Sequence, residues 1–125
     1  MTLTNLFRLH AILAALYAIG LVLFPKTIVA LLSNEPLGDV GAELTRLFGA
    51  ALVMVTLLAW SASQMTDDSA RRVIASVLFV YVSLGAVISL IGQLAGIWGA
   101  LGWSNFGSYL IFVLGYGYFL YRKPN

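Results

Sequence analysis

The chain has 125 residues, of which 61% are apolar or aromatic and 10% charged, with a formal net charge of +2. An ordinary soluble domain carries about 25% charged residues, so this chain has too few charges to coat a water-facing surface. With no cysteine and one histidine, disulfide frameworks, thiol catalysis, thiolate metal sites and multi-histidine metal or haem sites within one chain are excluded. No basic stripe or nucleic-acid motif accompanies the small positive charge. A membrane-crossing helix takes about 20 mostly apolar residues, so four of them use about 80 and leave about 45 for loops and ends. The arithmetic predicts one all-α domain over residues 1–125, an integral membrane four-helix bundle.

The first span is expected at about residues 5–24, with Arg8 and His10 near its start and Pro25-Lys26 at its end. Ala18-Ile19-Gly20 offers a small-x-small cleavage site, but the apolar run continues past it, which argues against a signal peptide. Pro25 separates the first helix from Lys26-Thr27-Ile28-Val29-Ala30-Leu31-Leu32. That run is too short to span and reads as a short helix in the membrane interface. Ser33 to Asp39 is turn chemistry. The second span follows at about 42–64, with Glu43 and Arg46 three residues apart on one face of its first turns.

Asp67 and Asp68 suit the start of the third helix, where free amides and the helix dipole favour carboxylates. Asp67/Arg71 and Asp68/Arg72 have the spacing of i,i+4 ion pairs. The third span is placed at about 72–94. Gly85, Ser89, Gly92, Gly96 and Gly99 form a row of small residues on one side of this helix, if the helix continues as far as Gly99. A helix from Asp67 to Gly99 would be about 50 Å long, so it must project, tilt or break near its glycine-rich end. The fourth span is expected at about 103–121, closed by Arg122-Lys123-Pro124-Asn125.

Four spans put both termini and the middle turn on one side. That side carries Arg8, Arg71, Arg72, Arg122 and Lys123, against Lys26 and Arg46 on the other. The bias predicts that both termini face the cytoplasm.

Arg46 is the most informative candidate for a site. Charged groups within spans are usually paired or face a cavity. Its functional reading is an outer-leaflet pocket in which Glu43 and Gln93 help Arg46 to hold an anionic head group or substrate. Its structural reading is a pair with Glu43 or the loop acids that locks the helix start. His10 is either a proton-transfer group or a neutral side chain bonded to a neighbouring helix. The small-residue row is expected to allow close helix packing, against a helix of this chain or of another subunit. Trp60, Trp103, Tyr118 and Tyr121 are expected as interfacial anchors. Tyr81 and Tyr116 lie deeper and should turn their hydroxyls toward other helices. No catalytic residue, metal site or cofactor is expected.

The stretch from Gly20-Leu21-Val22-Leu23-Phe24-Pro25 through Glu43-x-x-Arg46-x-x-Gly49-Ala50 resembles small four-span bacterial proteins grouped only as domains of unknown function. The resemblance implies a bacterial inner-membrane protein and no particular activity. Small multidrug-resistance transporters need a carboxylate in the first span, and residues 5–24 have none. Dual-topology fluoride channels carry motifs absent here. The membrane-associated eicosanoid and glutathione enzymes, which carry Glu, Arg and Asn on their second span, are loosely similar at Glu43 and Arg46, but the second span lacks the asparagine. The leading expectation is a non-enzymatic accessory or structural protein that packs with itself or with a larger membrane complex. A small transporter or lipid or anionic-ligand binder around Arg46 is the alternative, with a membrane enzyme of the eicosanoid/glutathione type more distant.

Overall fold

Local sequence signals account for the helix ends. The computed structural model describes residues 1–122. Lys123, Pro124 and Asn125, the part of the expected basic C-terminal end that follows Arg122, lie outside the described residues. Helix α1 (Leu3–Leu23) opens at Thr2, whose hydroxyl oxygen accepts from the Asn5 amide at 3.1 Å. It stops at Phe24 because Pro25 has no amide hydrogen to continue the ladder. The same proline is preorganised for the first position of a new helix, α2 (Pro25–Leu32). Helix α3 (Asp39–Gln64) follows a short loop, and a tight turn leads to α4 (Asp68–Leu94). Asp67 caps α4, its carboxylate accepting from the Ser69 and Ala70 amides at 2.9 and 3.3 Å.

The cap changes the expected charge pairing. Neither Asp67/Arg71 nor Asp68/Arg72 forms an ion pair. Asp67 is committed to backbone amides, and Arg71 donates instead to the Met65 carbonyl and, at 2.8 Å, to the Thr4 hydroxyl. Arg72 donates to the Leu120 carbonyl. Both arginines therefore tie helix ends together.

Helix α4 breaks at the glycine-rich end. Gly96 has φ +78°, the left-handed region that favours glycine. The Ile97 and Gly96 amides donate back to the carbonyls of Gly92 and Gln93, at 3.0 and 3.2 Å. That pattern closes a helix C-terminus. Of the small-residue row, Gly85, Ser89 and Gly92 lie on α4, whereas Gly96 and Gly99 fall in the connection to α5 (Gly102–Tyr121).

The four long helices form two close antiparallel pairs, α1 with α3 and α4 with α5. In the first, Gly49 sits against Leu21 and Val22, and Arg71 holds Thr4 and Met65 at the other end. In the second, Gly85 faces Tyr109 and Gly117 faces Phe79. The pairs meet where Leu6 fills the notch at Gly115 and Phe7 packs on Tyr116, with ring centroids 5.8 Å apart. At the opposite end they are joined by loops. Asn34 and Ile97, and Gly99 and Leu32, pair backbone to backbone at 3.1 and 2.7 Å. The Asn34 side chain donates to the carbonyls of Gly96 and Trp98 at 2.9 and 3.2 Å. Between these two ends α3 and α4 touch far less than the members of either pair.

The chain is all-helical among the described residues. Large apolar side chains such as Leu16, Leu47, Leu57, Val77, Ile91 and Leu114 point outward, whereas the buried polar side chains are His10, Ser63 and Ser89. Helices α1, α3 and α4 are long and apolar enough to cross a membrane. The fourth expected span forms a helix of 20 residues but falls short of the same hydropathy. The reason is its content of tyrosine, glycine, serine and asparagine; it carries no charge.

Candidate functional site

Arg46 donates to Glu43, one turn earlier on α3, and both side chains are about half exposed or more. Beside them Lys26 donates to Asp39 at 2.8 Å, an ion pair the sequence reading did not anticipate. It links the start of α2 to the start of α3. These four residues line one surface cleft with Phe24 and Pro25. The cleft holds two positive and two negative side chains, each paired, so Arg46 has no uncompensated charge to offer an anion.

Gln93, expected to join Arg46, does not line this cleft. Its amide nitrogen donates to the Gly99 carbonyl at 2.9 Å, across the loop between α4 and α5. The break at Gly96 brings that loop back over Gln93, so its amide is held there and not at Arg46. Its Oε1 is buried without a hydrogen-bond donor, close against Gly102.

The small-residue row packs inside the chain. The Tyr109 ring occupies the space a side chain at Gly85 would need. Ser89 accepts from the Asn105 amide nitrogen at 3.1 Å. The Trp98 indole lies where a Cβ on Gly92 would come within 2.5 Å of it. Gly99 lies under Asn34. The partners are therefore α5 and the two loops.

His10 is buried, and its Nδ1 lies 2.8 Å from the Tyr116 hydroxyl on α5. Its ring stacks on Phe112 with centroids 4.3 Å apart. This is a bond to a neighbouring helix. Beyond the imidazole lies a cavity of about 50 Å³ between the helix pairs. It adjoins a larger space of about 440 Å³, and the two share Tyr17, Phe48, Tyr81, Asn105 and Tyr109 as walls. The larger space runs up to Leu32 and Trp98, beneath the paired loops. It opens sideways where α3 and α4 diverge, at the exposed side chains of Phe48, Leu84 and Ile88.

No Asp, Glu, Lys or Arg lines either chamber. The polar groups present are mostly hydroxyls. Those of Tyr81 and Tyr109 lie 3.5 Å apart, too far for a strong bond. Among the described residues no group of three or more His, Cys, Asp or Glu is placed to hold a metal ion.

Tyr17, Asn105, Tyr109 and Phe112 were not singled out in the sequence, yet a signal was there. His10, Ala14 and Tyr17 recur at helical spacing on α1, as do Asn105, Tyr109, Phe112 and Tyr116 on α5. In an apolar helix, a stripe of amide and hydroxyl groups on one side marks the face turned from lipid.

A family described as a domain of unknown function (DUF8292) matches residues 1–121. No curated protein matches the chain, and no solved structure matches it.

Proposed function

We propose, for a chain that belongs to the DUF8292 family of domains of unknown function, a role as a four-span protein of the bacterial inner membrane. Both termini face the cytoplasm, and α2 lies in the outer interface. The role is non-enzymatic: an accessory or structural component that packs with itself or with a larger membrane complex through its lipid-facing surface. The observation that carries this reading is the charge map. Residues 73–121 contain no Asp, Glu, Lys or Arg, and large apolar side chains point outward along every long helix. Such a surface is unstable in water and at rest in hydrocarbon. Helix α5 reads as the fourth crossing because its 20 residues reach about 30 Å and its tyrosine and asparagine groups turn partly inward. Exposed Trp103 at one end and Tyr118 and Tyr121 at the other suit the two interfaces.

The small-residue row does not support self-association, because this chain's own aromatic rings occupy it. The charge-balanced cleft at Arg46 gives no support to an anionic ligand there. The absence of cysteine from the chain makes the topology test direct. Glu35→Cys, Ser69→Cys, Ala100→Cys and Tyr121→Cys are each labelled with a membrane-impermeant maleimide in intact spheroplasts and after lysis. Glu35→Cys and Ala100→Cys are expected to react from outside, and Ser69→Cys and Tyr121→Cys only after lysis. Labelling of Ala100→Cys and Tyr121→Cys from the same side would remove the fourth crossing. Labelling of Ser69→Cys from outside would reverse the orientation.

A further inference from the structure

We infer that the cleft between the two helix pairs is a binding site for an uncharged lipid whose flat head carries carbonyl acceptors, the chemistry of an isoprenoid quinone. The inference rests on the membrane reading above, since the mouth between α3 and α4 then opens into the bilayer.

Charge selects the head group. Both chambers lack Asp, Glu, Lys and Arg. A phosphate, carboxylate or ammonium brought there would lose its hydration with no countercharge, a loss of several kcal/mol. A neutral head enters without that penalty. Hydrogen bonding selects its polarity. Tyr17 lines both chambers, and its hydroxyl has no partner among the hydrogen bonds of the described residues. The long separation of the Tyr81 and Tyr109 hydroxyls leaves at least one hydrogen poorly used. His10 is bonded only through Nδ1. When Tyr116 donates that bond, Nε2 carries a hydrogen, and His10 lines the inner chamber; a donor left unbonded in a hydrocarbon setting is costly. A ligand carbonyl satisfies these donors, whereas an alkane satisfies none.

Shape agrees with the same ligand. The inner chamber of about 50 Å³, bounded by the rings of His10, Tyr81, Tyr109 and Phe112, is too small for a ring, since a benzene-sized guest takes about 150 Å³; it admits a carbonyl oxygen, while the head's ring lies in the adjoining space against Phe48, Tyr81 and Tyr109. The outer space of about 440 Å³ has mostly aliphatic and aromatic walls, including Leu21, Leu84 and Ile88. It leads a hydrocarbon tail from the head to the lateral opening. The Phe7–Tyr116 contact lies on one side of the cleft and Trp98 with the loop pairing on the other.

The test uses the full chain in phosphatidylcholine nanodiscs with ubiquinone-2 as the probe, followed by quenching of tryptophan fluorescence and by native mass spectrometry. Saturable binding of one probe per chain is expected. Tyr109→Phe should weaken it by about three- to tenfold, the worth of a hydrogen bond. Thr45→Phe, which fills the outer space, should abolish binding. Leu84→Trp repeats that block from an exposed position, so a folding defect in Thr45→Phe does not decide the result. The saturated isoprenoid hydrocarbon phytane should not compete. Competition by phytane equal to that of unlabelled ubiquinone-2 would overturn the carbonyl assignment, and absence of saturable binding would overturn the site. Maleimide labelling of the cysteine variants separates the two readings. Correct topology without ubiquinone-2 binding sinks this inference alone, whereas wrong topology sinks the membrane reading.

Discussion

The two helix pairs are built from different materials. The α1/α3 pair is closed by small apolar side chains, with Ala11, Ala14, Ala18, Ala59 and Ala62 all buried, and by Gly49 pressed on the backbone of Val22. The α4/α5 pair is closed by rings and polar groups seated in gaps: Tyr109 at Gly85, Phe79 at Gly117, and Asn105 on Ser89. Both devices let helices approach without the hydrophobic effect that drives packing in water. They differ in what can yield. In the first pair backbone meets backbone across a dry seam. In the second, the group in the gap is a side chain with open space beside it. The first pair is thus a rigid wall and the second an adjustable one, and the cleft lies between them.

Breaking the joint between the pairs should have the largest effect. Phe7 is fully buried and packs on Tyr116. Phe7→Ala is expected to destabilise the protein by about 3–5 kcal/mol, read from thermal unfolding in detergent. A loss below 1 kcal/mol would mean that the pairs are held together by their loops. Next comes the dry seam. A Cβ at Gly49 would lie 2.8 Å from the Val22 side chain and 3.1 Å from its backbone nitrogen. Gly49→Ala must therefore part the helices, at a cost of about 1–3 kcal/mol, reduced by alanine's better helix propensity of about 1 kcal/mol.

Gly85→Ala is the matched experiment on the adjustable wall. The added methyl meets the Tyr109 ring, which can turn into the cleft. Stability is expected to change by less than about 1 kcal/mol, while ubiquinone-2 binding falls by about tenfold or more. Equal destabilisation at Gly49 and Gly85 would erase the contrast between the pairs. Arg46→Ala should do least. Its pair with Glu43 is exposed, and such pairs contribute about 0.2–1 kcal/mol. A large loss of stability in that variant would restore Arg46 to a central role.

The long helices were legible in the sequence because apolar runs of the right length sit between prolines, aspartates and glycines with clear cap roles. Expected stretches at 42–64 and 72–94 became α3 (Asp39–Gln64) and α4 (Asp68–Leu94). The helices start earlier than the apolar runs because polar first turns belong to a helix as well. His10 bonded to a neighbouring helix was also legible, since a lone imidazole in an apolar run needs a partner. The pairing of helices was not legible, because every span is apolar on most sides and all four patterns look alike. Gln93 was misplaced for a related reason: depth along a span does not say where the chain turns back, and the turn at Gly96 claimed its amide. Local spacing failed at Asp67 and Asp68, where Asp67's capping bonds and arginine contacts to other helices outcompeted exposed ion pairs. The cleft residues of α5 were within reach, given their recurrence at helical spacing.

The loop pairing around Asn34 has a consequence for how this family can vary in length. Loops ordinarily absorb insertions and deletions. Here the connection after Gly96 is fastened to Leu32 and Asn34 through backbone and side-chain hydrogen bonds, and Gln93 holds Gly99 from below. One added residue between Gly96 and Gly99 would put these contacts out of register at once. The stretch between Glu35 and Gly38 is not stitched to the other connection. Length differences among relatives should therefore gather in residues 35–38 and avoid 96–99, so an alignment of the family would carry the imprint of that fastening.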